Sequence, residues 1–263
     1  MHDYHIHSHI SDDGHFPMAD MAEAALKKGL AEIAVTDHYD PLYPDPDFPF
    51  NPNMEHYHRE LEQVVTLYEG RLPILRGIEI GIQHHALEHC RQEALSYGYD
   101  YIIGSFHAME NMDLCRLHLL TPRGPEELFR SFYRYMYNCL REYKDYDVVG
   151  HFNIIDRYAP VIPDYACCRD LIEDVLRLII EDGKGLEINT SSFLYNMGDR
   201  TTPTMEILKL YRSLGGDILT TGSDAHYPKD VGNKLEFAEE MARSAGFRYL
   251  TGFRERKPFF RRF

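Results

Sequence analysis

The chain has 263 residues, of which 44% are hydrophobic and 27% are charged, and its formal net charge is −14. This composition is typical of a globular protein and excludes a disordered chain, a collagen-like chain and a small disulfide-stapled domain. A strongly negative surface repels polyanions, so neither nucleic acid nor an anionic membrane is expected as the main partner. No linker or low-complexity tract interrupts the sequence, which favours a single domain over residues 1–263.

The cysteines and the first residues predict a cytoplasmic location. None of the five cysteines belongs to a CxxC pair, and the adjacent Cys167 and Cys168 suit neither a structural zinc site nor an ordinary disulfide. The opening MHDYHIHSHI lacks the basic and apolar regions of a signal peptide. No apolar run approaches the roughly 18 residues that span a bilayer.

Short apolar segments alternate with amphipathic stretches along the chain. A first strand over 2–7 precedes a helical pattern from Met18 to Leu26, with Gly29 as a plausible C-cap. Helical patterns also run from Leu128 to Cys139 and from Leu171 to Ile179. The further candidate strands are 32–38, 74–81, 101–107, 147–152, 185–190 and 217–223. This alternation predicts an α/β fold with a parallel sheet, either a closed barrel or an open doubly wound sheet.

Histidine is overrepresented, and it collects at the ends of these strands. There are 15 histidines, against roughly five or six expected from ordinary usage. Six of the seven candidate strands finish in side chains that bind metals: His5, His7, Asp37, His38, Glu79, His107, His151, Asp224 and His226. In a parallel barrel all these ends lie on one face, where active sites form. The pattern therefore favours the barrel and predicts a metal site at its C-terminal face.

The remaining histidines are expected outside this set. His84, His85 and His89 follow the third strand and are interpreted as surface residues, although His84 or His85 could reach the site. Solvated or indirect roles are expected for His2, His9, His15, His56, His58 and His118.

The motifs resemble those of the PHP family, named for polymerase and histidinol phosphatase domains. HIHSHISDDG resembles its first motif, TDH its second and GSDAH its last, with GIEIG, GSFH and GHFN between them. The resemblance implies a distorted (β/α)7 TIM-like barrel with its metal site at the strand ends. GSFH, GHFNIIDRY and LEINTSS resemble the histidinol-phosphate phosphatase branch.

The resemblance also implies three metal ions. His5, His7, Glu79 and Asp224 would bind the first. Glu79 would bridge to the second, with His107 and His151. Asp13, His38 and His226 would bind the third, although Asp12 could replace Asp13. Asp37 is expected to orient a ligand. Imidazole and carboxylate ligands without thiolate suit zinc, manganese or iron.

The charges of such a site suit a phosphate ester. Three divalent ions bring about +6 against three carboxylates, which leaves about +3 for a phosphate dianion and a hydroxide. The hypothesis is that a hydroxide bridging the first two metals attacks phosphorus in line. Asp224 is the first candidate to handle the proton, and His226 or a metal-bound water could protonate the leaving alkoxide.

Arginine, lysine and serine side chains in the loops of the same face are candidates for phosphate binding. Arg157 follows the fifth strand and is the preferred candidate, with a surface salt bridge as its alternative role. Arg200 and Lys229 are further candidates, and Ser191 could line the pocket or merely start a turn.

A proline-rich segment over 39–53, YDPLYPDPDFPFNPN, follows the second strand. A long structured loop there is often a lid or a recognition element. Asp40, Asp45 and Asp47 lie among Tyr39, Tyr43, Phe48 and Phe50, a mixture that suits a cationic organic group. The alternative is a stiff surface loop without a role in binding.

The sequence as a whole predicts a metal-dependent phosphomonoesterase of small molecules, with L-histidinol phosphate as the expected substrate. The near alternative is a PHP phosphoesterase that acts on another small phosphate. A PHP nuclease would need a basic groove, which the charge of −14 disfavours. A regulatory metal-binding module without turnover is disfavoured by the full ligand set.

Overall fold

In the computed structural model, residues 1–47, 49–116, 124–195, 197–198 and 200–263 are described. The described strands are β1 (His2–Ile6), β2 (Glu32–Val35), β3 (His38–Tyr39), β4 (Ile74–Gly81), β5 (Tyr101–Ser105), β6 (Ala108–Met109), β7 (Met112–Asp113), β8 (Val148–Val149), β9 (Gly185–Asn189), β10 (Leu219–Gly222), β11 (Tyr249–Arg254) and β12 (Lys257–Arg262). The described helices are α1 (Met18–Lys27), α2 (Met54–Leu67), α3 (Leu87–Ser96), α4 (Gly124–Glu142), α5 (Ile155–Tyr158), α6 (Arg169–Glu181), α7 (Met205–Ser213) and α8 (Leu235–Ser244).

The parallel strands form a nearly closed barrel. Their order is β1, β2, β4, β5, β8, β9 and β10, and the short β3 continues the path of β2 against β4. The first and last strands meet where Asp224 N donates to His5 O at 2.8 Å and His7 N donates to Ala225 O at 3.0 Å. The prediction of a (β/α)7 barrel is confirmed, and the open doubly wound alternative is wrong because β10 returns to β1.

Six of the seven predicted strands end one to three residues earlier in the structure. The predicted extensions include the metal-binding residue types, and the backbone leaves the sheet where these residues turn towards the barrel axis. His151 has φ of 25° and Asp224 has φ of 55°, both incompatible with a continuing strand. Only β4, which carries Glu79 inside the strand, has its predicted bounds.

The seam between β1 and β10 is fixed by a buried carboxylate. Asp3 accepts hydrogen bonds from the backbone N and the hydroxyl of Ser223, at 2.8 and 2.5 Å, and from Gly232 N at 2.7 Å. Asp3 and Ser223 are fully buried. This contact places the chain segment that carries Asp224 and His226 beside the strand that carries His5.

A C-terminal hairpin closes the N-terminal end of the barrel. Strands β11 and β12 are antiparallel, and Phe253 of β11 packs among buried barrel residues such as Tyr4 and Tyr101. The Phe253 and Tyr101 rings are 5.1 Å apart. Arg254 and Arg261 both bind the buried carboxylate of Glu32. None of the seven strands predicted from the sequence falls in this hairpin.

None of the described helices has both the length and the apolarity needed to cross a membrane.

Truncation of the Phe253 side chain should destabilise the barrel. We expect Phe253→Ala to lower the free energy of unfolding by about 3–5 kcal/mol, because a buried aromatic ring is removed. The matched control is Phe260→Ala in β12, where the ring is 53% exposed, with an expected change within about 0.5 kcal/mol. Urea unfolding measures both. Equal losses would show that the hairpin does not close the core.

Candidate metal centre

His5 and His7 begin the site at the end of β1. A strand directs alternate side chains to the same face, and the two rings lie 5.0 Å apart. Both histidines are fully buried. The predicted pairing of their side chains on one side is therefore present.

Glu79 of β4 lies at the centre of the site, and each of its two oxygens faces a different group of imidazoles. Its Oε2 is 3.2 Å from His5 Nε2 and 3.4 Å from His7 Nε2. Its Oε1 is 2.8 Å from His151 Nε2 and 3.3 Å from His107 Nε2. A carboxylate with this arrangement can bridge two cations.

Asp224 completes the group around His5 and His7. Its Oδ1 lies 3.2 Å from His7 Nε2 and 3.7 Å from His5 Nε2. Its Oδ2 accepts a hydrogen bond from Asn189 Nδ2 at 3.3 Å and lies 3.9 Å from Arg157 Nη2. Asp224 therefore connects the ligand cluster to the cavity above it.

A further group forms at the rim, and it distinguishes the two adjacent aspartates. Asp13 Oδ2 is 3.2 Å from His226 Nε2 and 3.8 Å from His38 Nε2. Asp12 turns away, and its Oδ2 accepts a hydrogen bond from Phe50 N at 2.6 Å. The geometry thus favours Asp13 over Asp12 as the ligand.

Buried nitrogen and oxygen atoms without a hydrogen-bond partner indicate that these residues fit divalent cations. Among the described residues, several buried nitrogen and oxygen atoms lack a hydrogen-bond partner. Many of them belong to the cluster at the strand ends: His5 Nε2, His7 Nε2, Asp13 Oδ1, His38 Nδ1, Glu79 Oε2, His151 Nδ1 and His226 Nε2. Unsatisfied buried polar atoms are costly. Subsets of these residues place their ligand atoms within 4.8 Å of one another. Cations at these positions would satisfy such atoms, and the imidazole and carboxylate set suits zinc and similar transition metals.

The protonation of the cluster follows from burial and from neighbouring charges. Burial lowers the pKa of His5, but the carboxylates of Glu187, Glu79 and Asp224 outweigh it and raise the pKa well above its usual value. Burial also opposes the charge of His226, yet Asp13 raises its pKa to about 9. Burial and the neighbouring rings of His226 and His38 lower the pKa of His7 to about 3. A cation that binds the rings of His5 and His226 must displace protons, so its affinity falls as the pH falls.

Three buried groups orient the ligand rings from behind. Glu187 Oε1 lies 2.7 Å from His5 Nδ1, and Asp40 Oδ1 lies 2.7 Å from His107 Nδ1. Asp37 accepts a hydrogen bond from Ser11 Oγ, which contacts His7 Nδ1 at 3.2 Å. Such partners fix a ring and raise its basicity. The sequence predicts an orienting role for Asp37, whereas Glu187 and Asp40 carry no signal of such a role in the sequence.

Arg157 lies over the cluster, as the sequence predicted. It lines a cavity with Asp13, His107, His151, Asp224 and His226. Its Nη2 donates to Ser191 Oγ at 2.7 Å, and its guanidinium lies 3.9 Å from the centre of the Tyr195 ring. Its buried Nε has no hydrogen-bond partner among the described residues. Ser191 thus supports Arg157 from beside the cavity.

The other two basic candidates do not line this cavity. Arg200 Nη1 lies 3.1 Å from Asp156 Oδ2, and the residue borders a different groove with Tyr165 and Met241. Lys229 is exposed, and its ammonium lies 5.4 Å from the centre of the Tyr227 ring. Loop conformation, which spacing along the chain does not reveal, separates these residues from Arg157.

The remaining histidines lie outside the cluster where the structure describes them. His84, His85 and His89 are exposed, as predicted, and so are His9, His15 and His56. His2 and His58 are half-buried, and His58 stacks on Tyr97. His118 lies outside the described residues.

The 39–53 segment covers one side of the cavity. Phe50 packs 4.8 Å from the His38 ring, and Tyr43 OH lies 3.5 Å from His107 O. Two of its acids are engaged with the protein, because Asp40 contacts His107 and Asp45 pairs with Arg116 at 2.6 Å. The segment therefore contributes aromatic walls, while these acids hold the structure. Phe48 lies outside the described residues.

Known proteins similar to this chain share most of its length. The PHP domain family matches residues 3–191. A probable histidinol-phosphatase from Clostridium acetobutylicum is 30% identical over 250 residues, 94% of each chain. A histidinol-phosphatase from Lactococcus lactis subsp. lactis is 28% identical over 258 residues, 95% of this chain and 93% of that protein.

A solved structure is similar over almost the entire fold. It is the crystal structure of histidinol phosphate phosphatase from Lactococcus lactis subsp. lactis complexed with zinc, L-histidinol and phosphate. Its TM-score is 0.88 at 26% identity, and the match covers 98% of each chain.

Replacement of the orienting carboxylate behind His107 should weaken cation binding. We expect Asp40→Asn to lower the affinity for zinc by roughly tenfold, because the amide leaves His107 less basic. Asp45→Asn in the same segment is the control, since Asp45 pairs with Arg116 and not with a histidine of the cluster. Competition with a chelator measures both affinities. If both variants lose affinity equally, Asp40 does not act through His107.

Proposed function

The chain belongs to the PHP domain family, and we propose that it is a metal-dependent phosphomonoesterase that hydrolyses L-histidinol phosphate to L-histidinol and phosphate. The observation that carries this proposal is the convergence of imidazoles on the two oxygens of the buried Glu79 beneath a cavity that Arg157 lines. The substrate follows from the Lactococcus lactis structure, which holds zinc, L-histidinol and phosphate in a chain that matches this one over 98% of its length.

We assign the ligands to three divalent cations. His5, His7, Glu79 and Asp224 would hold the first, Glu79 with His107 and His151 the second, and Asp13 with His38 and His226 the third. Divalent ions held there would activate a water for attack on phosphorus and neutralise the phosphoryl oxygens. Zinc is supported by the similar crystal structure, whereas manganese and iron suit the same donor set.

Asp224 and His226, which follow β10, are the residues that we associate with proton transfer. Asp224 borders the cavity with its Oδ2 towards Arg157, so this carboxylate is placed to accept a proton from the attacking water. His226 also borders the cavity, and its Nδ1 is 3.0 Å from Asp224 O. Because its Nδ1 faces that carbonyl and its Nε2 is assigned to the third cation, a water held by that cation would supply the proton for the leaving alkoxide.

Arg157 is the phosphate-binding residue of this proposal. Its guanidinium has one nitrogen fixed by Ser191, and the residue lines the cavity. A planar fork of donors matches two phosphate oxygens, so the group positions the ester without moving far.

Aromatic rings around the cavity provide the environment for the organic part of the substrate. Tyr43, Phe50, Tyr158 and Tyr195 border the cavity. Such rings accommodate an imidazole or an amine by stacking and cation–π contact. Recognition of the cationic group by Asp40 and Asp45 is not part of this proposal, because other side chains bind both acids.

Phosphate release tests the proposed reaction. The protein is loaded in turn with zinc, manganese and iron and supplied with L-histidinol phosphate and a panel of unrelated small phosphate esters. We expect a strong preference for L-histidinol phosphate that is lost in Glu79→Gln, because the amide cannot bridge two cations. Equal, weak activity across the panel would retain the hydrolytic chemistry and reject the substrate.

The adjacent aspartates provide a matched pair for the third cation. We expect Asp13→Asn to bind one equivalent of metal fewer than the unaltered protein, because it removes an ionised ligand beside His226 and His38. Asp12→Asn should keep the full complement, since Asp12 binds the backbone of Phe50. Elemental analysis after dialysis gives the count, and the same loss in both variants would reject the assignment.

Substitutions of Arg157 and Arg200 distinguish a phosphate-binding arginine from one that forms a salt bridge outside the cavity. We expect Arg157→Ala to lower kcat/KM by roughly ten- to a hundredfold, as expected for loss of hydrogen bonds to a charged group. Arg200→Ala should change it little, because Arg200 pairs with Asp156 outside the cavity. Steady-state kinetics distinguish the two, and a larger effect at Arg200 would contradict the assignment.

A further inference from the structure

A second group of metal-binding side chains lies outside the buried cluster at the strand ends. His9 follows β1, and His56 and Glu60 lie one turn apart on α2. His9 Nε2 is 3.6 Å from Glu60 Oε2, and His56 Nε2 is 3.7 Å from the same oxygen. We propose that these three residues form a separate, solvent-accessible site for a divalent transition-metal ion such as zinc.

The distances suit a shared ion better than direct pairing. Both separations exceed ordinary hydrogen-bond lengths, so the rings are not hydrogen-bonded to Glu60. In a tetrahedral zinc site with bonds of about 2.1 Å, neighbouring ligand atoms are about 3.4 Å apart. The three atoms lie within 4.8 Å of one another, so small side-chain movements would give tetrahedral spacing.

The backbone holds the three residues in place. Residues i and i+4 share one face of a helix, which is the spacing by which two helical side chains bind one metal. The start of α2 is fixed because the Asn53 side chain accepts a hydrogen bond from His56 N at 3.0 Å. His9 N donates to Phe16 O at 2.8 Å, which restrains the other side. Three protein ligands would leave one tetrahedral position for water.

The guanidinium of Arg59 lies beside the site and opposes the binding of a cation. Arg59 Nη2 lies 3.2 Å from His56 Nδ1. A guanidinium only donates, so this contact places the proton of a neutral His56 ring on Nε2. Metal binding through Nε2 requires that proton to move to Nδ1 and Arg59 to turn away. Arg59 is exposed, so it is free to do so.

An ion at this position would join two segments that border the catalytic face. His9 belongs to the loop that carries Asp13, whereas α2 follows the 39–53 segment. The Asp12 contact with Phe50 N already connects these segments at one point. The ion would add a second connection and restrain the Asp13 loop. This inference goes beyond the proposed reaction and does not depend on it.

Calorimetric titration of Zn²⁺ into the full-length protein, with its tight sites already saturated, tests the proposal. We expect one additional, weaker equivalent in the unaltered protein. It should be absent or weakened by at least roughly tenfold in His56→Ala and in Glu60→Gln, since loss of a direct ligand costs no less than loss of an outer-shell partner. Arg59→Ala should bind this equivalent severalfold more tightly.

The control is His85→Ala, which removes another exposed histidine and should keep the additional equivalent. The absence of the extra equivalent in the unaltered protein, or its persistence in both His56→Ala and Glu60→Gln, would overturn the site. Its loss in His85→Ala would also overturn it, because unspecific binding by surface histidines would then explain the signal. The readout counts ions, so failure of the phosphatase assay leaves this test intact.

Discussion

The burial of the Glu79 carboxylate is the constraint on which the site depends. Its side chain has no exposure, and an ionised group in such a place needs positive charge or donors around it. The surrounding strand ends supply five imidazoles, those of His5, His7, His38, His107 and His151. A parallel barrel can do this because its strand ends converge on one face. The backbone leaves the sheet with a positive φ at His151, whose Nε2 faces Glu79 Oε1.

Outer contacts orient three of these imidazoles before anything binds, while the inner nitrogens of His5 and His7 have no hydrogen-bond partner in the part of the chain that the structure describes. Glu79 and Asp224 face the inner nitrogens, whereas Glu187, Asp40 and Ser11 contact outer nitrogens of His5, His107 and His7. A ring fixed in this way needs little reorganisation when it takes a ligand. The cluster therefore presents its charged groups to the cavity in a fixed orientation.

Features marked by a repeated pattern could be predicted from the sequence, whereas features that depend on a single residue could not. Histidine and carboxylate recur at equivalent strand ends, so the barrel and the ring could be predicted from residue types and period-two geometry. Glu187 stands alone in the apolar strand β9, and nothing in its surroundings indicates that it reaches His5. Arg157 and Arg200 both follow a predicted strand in the sequence, but Arg157 lies on α5 and lines the cavity, whereas Arg200 pairs with Asp156 outside it. The closing hairpin lies beyond the last motif and has no ligand to mark it.

The seam at Asp3 and Ser223 makes the site depend on a contact between distant parts of the chain. These partners are 220 residues apart, and closing so long a loop is entropically costly and slow. His5 and His7 stand on one side of the seam, with Asp224 and His226 on the other. A chain emerging from the ribosome therefore presents only an incomplete ligand set until β10 docks beside β1. An ion bound by residues on both sides of the seam would stabilise the closed barrel against reopening.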